Sequence, residues 1–550
     1  MESAARASGM IAAATPLLHT AATCTRASHL LLLIPLIVSC MLLLVGRRRS
    51  KSRHHEPAGA QHRPPPSPRG LPVVGNLHQL GRLPHRSLRA LAASHGPVML
   101  LRLGRVPVVV VSSADAAREV MREQDDVFAT RPSSLAVPRR LMYGCTDIAF
   151  APHGAYWRGA RKMAVRHLLG PARVRAYRAV REQEADALAR RVASYHDGGV
   201  AVPLSELLSG FAKDATGRIV LGVRAGGDDG WRAKVDALLD ESNALLAAFH
   251  VGDCVPWLSW LSAIDGTGAR LEKAFRRIDG ILDEILDDAA TRMGTTAAAA
   301  GPDDDACFVH VLLSLQKESE DSEHADQLPA LTKDNVKALL EDLFGAGAEA
   351  TIVVLEWAMA ELLRNKDTMR KLQGEVRRGS SPTIITEQDL PRMEYLRAVI
   401  KETMRLHTPG PLLLPRESMR ATRIRGGQKQ LYDVPGNTMV VVNAWAIGRD
   451  PETWGESAEE FRPERFVGSE VDFRGRHFQL VPFGAGRRMC PGVNLAMSMV
   501  ELALANLVGR FDWALPEGEH QEMDMMEAPG FTLRKRAPLR AVATTHRAET

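Results

Sequence analysis

The sequence predicts a mainly α protein with a small β region, preceded by a single N-terminal membrane anchor helix. Three observations predict it. An uncharged apolar run occupies residues 30–46. Short β-rich runs cluster early, at Val98–Leu103 and Val106–Val111, and return at Met439–Val442. Long segments between them carry apolar residues at three-to-four spacing, the period of a helix with a buried face.

The anchor reading rests on length and flanks. About 17 residues at about 1.5 Å rise cover roughly 25 Å, close to the roughly 27 Å hydrocarbon thickness of the endoplasmic reticulum membrane. A dozen strongly apolar side chains favour insertion by on the order of 6 kcal/mol. The run is followed by RRRSKSRHH and not by a small-residue cleavage site. That basic block holds its side in the cytosol, which implies a single-pass endoplasmic reticulum protein with a cytosolic body. A signal or transit peptide is the competing reading of this end. Residues 1–46 are thus taken as N-terminal segment and anchor, 47–75 as a basic and Pro-rich linker, and 76–550 as the main domain. Pro64-Pro65-Pro66 and Pro68 make the linker a stiff, non-helical spacer.

Composition narrows the body. Hydrophobic residues at 45% and charged residues at 25% exclude a disordered polyelectrolyte and a multi-span membrane protein. Residues 1–53 hold a charge of +6 out of the chain's +5, so everything downstream is close to neutral. Nucleic acid is therefore not an expected partner. Six cysteines without a CxxC pair argue against a disulfide framework or a zinc cluster.

Within the body, residues 295–305 and 317–328 read as polar or alanine-rich surface insertions around a short apolar segment. A long helix is predicted from Thr332, whose hydroxyl can cap it, to Arg364. It is apolar on more than one face and therefore buried, yet its middle reads Gly345-Ala346-Gly347-Ala348-Glu349-Ala350-Thr351. Small residues there let something flat and bulky lie against the backbone, and the acid is costly unless water or a partner meets it.

Near the C-terminus, Pro482-Phe483-Gly484-Ala485-Gly486-Arg487-Arg488-Met489-Cys490-Pro491-Gly492 precedes a helical run. Glycines permit close backbone approach, and amides near the sulfur with the helix start can stabilise a thiolate, a soft ligand for iron. Taken alone, Cys490 could equally be a structural thiol. It is not alone. FxxGxRxCxG, carried by Phe483, Gly486, Arg488, Cys490 and Gly492, resembles the haem-binding signature of the cytochrome P-450 superfamily. Glu402-Thr403-Met404-Arg405 resembles the family's ExxR helix, Pro463-Glu464-Arg465-Phe466 its PERF element, and Trp157-Arg158-Gly159-Ala160-Arg161 its WxxxR helix.

The resemblance covers roughly residues 65–538 and implies the cytochrome P-450 fold, with haem b (iron protoporphyrin IX) held through Cys490 as metal ligand. Trp157, Arg161, Arg416 and Arg488 are then expected beside the haem carboxylates, with Phe483 and Gly486 shaping the cofactor loop. Glu402 and Arg405 could be a surface pair worth a few tenths of a kcal/mol, or with Arg465 a buried cluster. The implied reaction inserts one oxygen atom from O2 into a small apolar or aromatic metabolite. Electrons would come from NADPH through a membrane-bound partner reductase, because the chain has no pyridine-nucleotide or flavin fingerprint. Substrate is expected near Ala346, Glu349, Ala350, residues 411–414, Tyr143 and Phe531. The hydrophobic start resembles plant microsomal members. LMYGCTD at 141–147, FHVGD at 249–253, VLLSLQKE at 311–318 and VNAWA at 442–446 are similar to grass enzymes that hydroxylate indole-derived benzoxazinoid intermediates.

One departure bears on chemistry. The family usually places an alcohol directly after the acid of the central helix, and this chain has Ala350. That alcohol helps deliver protons during oxygen activation, and losing one preorganised donor costs on the order of 10²–10³ in rate. Thr351 lies about 100° further round the helix. Glu349, Ala350 and Thr351 are therefore the candidate oxygen-activation residues. Three readings stay open: substrate or water supplies the hydroxyl, the haem runs a dehydration or isomerisation, or the chain is an impaired haem-binding protein. Thr408, where a proline is common after the ExxR helix, carries no functional expectation.

Overall fold

The central sheet forms where valine dominates. β1 (Val98–Leu103) and β2 (Val106–Val111) pair antiparallel across a two-residue turn, with Val98 opposite Val111 and Leu103 opposite Val106. Gly104 in that turn has φ of +63°, and a Cβ there would lie 2.4 Å from the Cys254 carbonyl oxygen, so only glycine fits. The edge strand β3 (Arg416–Glu417) precedes a hairpin of β4 (Thr422–Arg425) and β5 (Leu431–Val434). β6 (Met439–Val442) returns parallel to β2 and antiparallel to β3, giving the order β1-β2-β6-β3. A last hairpin joins β7 (Phe511–Ala514) and β8 (Val542–Thr545). The three predicted strands match in position.

This computed structural model describes residues 63–195, 200–222, 229–247, 250–296, 307–321, 331–378, 384–426, 430–516 and 523–546. All of them belong to one unit, Arg63–Thr550. From Arg63 the proline-rich segment lies along the sheet: the Pro66 carbonyl accepts from the Leu100 amide at 2.8 Å.

Helices make up the rest. The central helix, Lys333–Arg364, starts at a capping box in which Thr332 accepts from the Asn335 amide and the Asn335 side chain accepts from the Thr332 amide. It is unbroken through residues 345–351 and packs against the helices Leu204–Thr216 and Val493–Arg510. Helices Thr267–Thr296 and Phe308–Asp321 run into the two expected insertions, whose remainders lie outside the described residues.

The ExxR helix, Glu394–Leu406, carries the buried form of its pair. Arg405 grips Glu402 with two hydrogen bonds of 2.6 and 2.7 Å and donates to the carbonyls of Gly448, Ala458 and Glu460. Arg465 reaches Glu402 at 3.3 Å. The surface-pair alternative is thereby set aside.

One expectation is corrected. Among the described residues no helix is long and apolar enough to cross a membrane. The run at residues 30–46 and the basic block after it lie outside the described residues. The anchor helix is thus no part of the fold described, and the membrane-spanning, endoplasmic reticulum placement built on it loses its support.

Candidate active site

The cysteine loop is held by its own backbone. The Cys490 amide donates to the Phe483 carbonyl at 2.9 Å, closing the segment into a ring, and Phe483 packs against Phe473 with the rings tilted by 59°. Gly486 has φ of +69°, and any side chain there would sit 2.1 Å from the Met121 carbonyl oxygen. Cys490 is accessible, yet burial pushes its thiol pKa upward, with the Gly492 amide and Arg161 pulling the other way and Asp342 adding to the rise. A sulfur that is reachable but poorly hydrated sits in a recess of the fold, the hollow beside Cys490.

Cations gather beside it. Trp157 and Arg161 lie one turn apart on the helix Ala155–His167. Arg161 donates to the Met489 carbonyl at 2.6 Å, next to the cysteine, and the Trp157 ring N–H donates to the Ile148 carbonyl at 3.1 Å. Arg488 stacks over Trp157 at 4.0 Å and donates to the carbonyls of Ala129, Ile148 and Ala151. Arg416, set by the sheet edge, donates to the Ala485 carbonyl at 2.9 Å. Arg131, not anticipated from sequence, donates to the carbonyls of Ala149, Leu414 and Pro415. It thereby ties down residues 411–415, where Leu413 has φ of +50°.

Burial first, and then one another's charge, pull these guanidinium pKa values down: Arg488 to about 9, and Arg131 well below its usual range. Burial brings Arg416 to about 10, with Asp125 opposing. Asp125 lies 3.4 Å from Arg416. Buried cations that repel one another, with Asp125, Asp147 and Asp342 as the acids acting on them, call for further anions. A soft sulfur facing a hollow, flanked by such cations, fits haem with its two carboxylates.

The central helix shows three different faces here. Gly347 and Thr351 face the helix Leu204–Thr216: a Cβ on Gly347 would come within 3.2 Å of Thr216, and the Thr351 hydroxyl donates to the Gly347 carbonyl at 2.7 Å. Glu349 is 3% exposed and faces the C-terminal segment. There it accepts from the Thr532 hydroxyl at 2.5 Å, from Arg534 Nε at 2.7 Å and from Arg534 Nη2. Asp342, Ala346 and Ala350, spaced i, i+4 and i+8, form a third stripe, and Ala346 is exposed in the middle of an otherwise buried helix. The charge of Asp342 adds to the rise of the Cys490 thiol pKa, which sets this stripe on the side of the helix toward the cysteine.

The structure thus brings Cys490, Arg161, Arg416, Arg488 and Trp157 together, and puts Ala350 apart from Glu349 and Thr351. Asp342, Arg131 and Arg534 were missed. Asp342 shares a helical period with Ala350 and could have been found; Arg131 and Arg534 carry no local signal. Tyr143, with φ of +48°, is tied by its hydroxyl to Asp279 at 2.7 Å. Phe249 lies outside the described residues.

Comparison with known proteins gives this arrangement a context. The family profile "Cytochrome P450", written here cytochrome P-450, matches residues 65–539. Cytochrome P-450 71A1 of Persea americana is 45% identical over 474 residues, covering 86% of this chain and 91% of its own. The (+)-menthofuran synthase of Mentha piperita is 44% identical over 489 residues, covering 88% and 94%. A zebra fish cytochrome P-450 structure with abiraterone superposes with a TM-score of 0.69 at 25% identity, covering 84% of this chain and 99% of that one. The chain belongs to the cytochrome P-450 family, as a plant-type member of its 71-like clan and a haem-thiolate monooxygenase drawing on O2 and NADPH.

Proposed function

We propose that this enzyme oxygenates a small apolar or aromatic secondary metabolite, with indole-derived compounds first among the candidates. The observation that carries the reading is the exposed Ala346, between half-buried Asp342 and Ala350, on the helix side from which Asp342 acts on the Cys490 thiol, where the two methyl side chains leave room for a flat ligand. Residues 76–550 form the catalytic domain. Cys490 would ligate the iron, and Arg161, Arg416 and Arg488 would offset the haem carboxylates, with Trp157 bracing Arg488. Phe483 and Gly486 set the curvature of the loop. Bound haem, supplied with electrons from NADPH by a partner reductase, provides the oxygen-activating chemistry.

The protein's own residues orient substrate and govern protons. Ala350 offers no hydroxyl, and the hydroxyl of Thr351 is spent on the Gly347 carbonyl. The proton-handling hydroxyl is therefore that of the substrate or of an ordered water, while Glu349, on another face of the helix, is held by Arg534 and Thr532. The resemblance of residues 141–147 and 311–318 to indole-hydroxylating grass enzymes supports the substrate class. A spectral titration with an indole series beside terpenoid and phenylpropanoid controls tests it: indoles should bind tightest, and a preference for either control class removes the indole assignment.

The engaged Thr351 hydroxyl favours one second reading, a haem-dependent dehydration or isomerisation. Product formed per NADPH consumed separates the two. Ala350→Thr should raise that ratio in a monooxygenase, whereas turnover without NADPH identifies the rearrangement.

A further inference from the structure

The turn at residues 124–127 is held between the sheet edge and the cysteine loop. Gln124 donates to the Arg423 carbonyl at 2.6 Å, Asp126 accepts from Arg420 at 2.6 Å, and the Val127 carbonyl accepts from the Met419 amide at 2.9 Å. Those bonds fix the turn to residues 419–423. Asp125, among them, is 7% exposed and meets a different set of partners. Its Oδ2 accepts from the Arg487 amide at 2.8 Å and from Arg487 Nη1 at 3.2 Å, and its Oδ1 faces Arg416 Nη1 at 3.4 Å. Arg416 also reaches the Phe128 carbonyl at 3.4 Å and the Ala485 carbonyl at 2.9 Å, so the plane of its guanidinium is set. Acid and loop are closely fitted, since a Cβ on Gly486 would lie 2.9 Å from Asp125 Oδ1. The charge of Asp125 also acts on Arg161 and Arg488, favouring their protonated forms against burial.

We propose that Asp125 is a positioning residue for haem, acting through the cysteine loop and through Arg416. One oxygen holds the loop backbone three residues before Cys490, and the other holds the guanidinium that meets a haem carboxylate. The proposal rests on the reading that Arg416 lies beside such a carboxylate. A buried arginine with an acid already on one edge attracts a second anion less than an unpaired one does. Asp125 thereby moderates the pull of Arg416 on the haem carboxylates, and with it the reduction potential, which hydrogen bonding and burial around a haem tune. Substitution separates the two oxygens. Asp125→Asn keeps an amide oxygen for Arg487 and puts an amide nitrogen toward Arg416, whereas Asp125→Ala removes both.

The haem-loaded full chain carries the test, as wild type, Asp125→Asn, Asp125→Ala, Arg416→Gln and the Asp125→Asn/Arg416→Gln pair. Spectroelectrochemical titration gives reduction potentials, and resonance Raman spectra give the haem carboxylate bending band. The reduced carbon monoxide spectrum reports the cysteine loop. Asp125→Asn should shift the potential upward and move the carboxylate band, with the thiolate-type carbon monoxide band intact. Asp125→Ala should do the same and also convert part of that band to the inactive form, because the Arg487 amide loses its acceptor. Arg416→Gln should shift the potential downward. In the pair the upward step due to Asn should shrink by more than half, because the acid works mainly through that guanidinium. Unchanged potential and carboxylate band in Asp125→Asn beside a shifted Arg416→Gln, or shifts that add in full in the pair, overturn the proposal. If Asp125→Asn loses haem, the pair removes the stranded cation together with the acid and is compared with Arg416→Gln: equal carboxylate bands support the proposal, and displaced ones overturn it. Arg416→Gln without effect on either readout refutes the placement of Arg416 at a haem carboxylate, and the carbon monoxide band of Asp125→Ala still decides the hold on the loop.

Discussion

Asp342 gives the most direct check on the hollow beside Cys490. Burial pushes its pKa to about 6 from an ordinary 3.8, against two amide bonds from Ile148 and Ala149 at 3.1 Å and the charge of Arg131. Asp147, next in chain to those amides, is driven well above the carboxylate range by burial and then by Asp342. A raised carboxyl pKa means that the folded protein keeps a proton the unfolded chain has released. The stability from that proton is complete below about pH 4 and is lost as pH climbs through about 6. Roughly two pKa units correspond to about 3 kcal/mol at most, and partial access of Asp342 to the hollow brings the expected loss to about half of that. Asp342→Asn cannot ionise, and its amide oxygen can still accept both backbone bonds. Urea midpoints measured at about pH 4.5 and about pH 7.5 should therefore fall with pH more in wild type than in Asp342→Asn. An equal fall in both proteins would mean that Asp342 is ionised throughout and well hydrated, and the argument for the hollow would lose a support.

Other outcomes follow from single contacts. Arg405→Ala strands Glu402 in the interior and should cost about 3–5 kcal/mol, read as poor haem retention and a lowered Tm, with Arg465→Ala milder because Arg405 keeps both oxygens of Glu402. Gly486→Ala puts a methyl group where the Met121 carbonyl and Asp125 stand, so the loop should open and the thiolate-type carbon monoxide band should shift toward its inactive form. Cys490→Ala should abolish that band; a variant keeping it would place the ligand elsewhere.

The strands Val98–Leu103, Val106–Val111 and Met439–Val442 and the capped start of the central helix were legible because they depend on neighbours in sequence: alternation, a β-branched run, a threonine three residues before an asparagine. Short patterns around Cys490 and Glu402 were legible for the same reason. The partners were not. Glu349 meets Arg534 across 185 positions, and Arg131 reaches residues 414 and 415 with nothing nearby to announce it. The sequence suggested that Glu349 needed water or a partner, and packing supplied a guanidinium. It also suggested an anchor helix, for which the described residues offer no spanning segment.

By itself, then, the chain determined the kind of fold, the sulfur and the arginines available to it, because local propensity and residue chemistry are properties of short stretches. Only the tertiary structure decided which face of the central helix each of Ala350, Glu349 and Thr351 would occupy in relation to its neighbours, because a helix turns 100° per residue and the elements packed on each side come from distant parts of the chain.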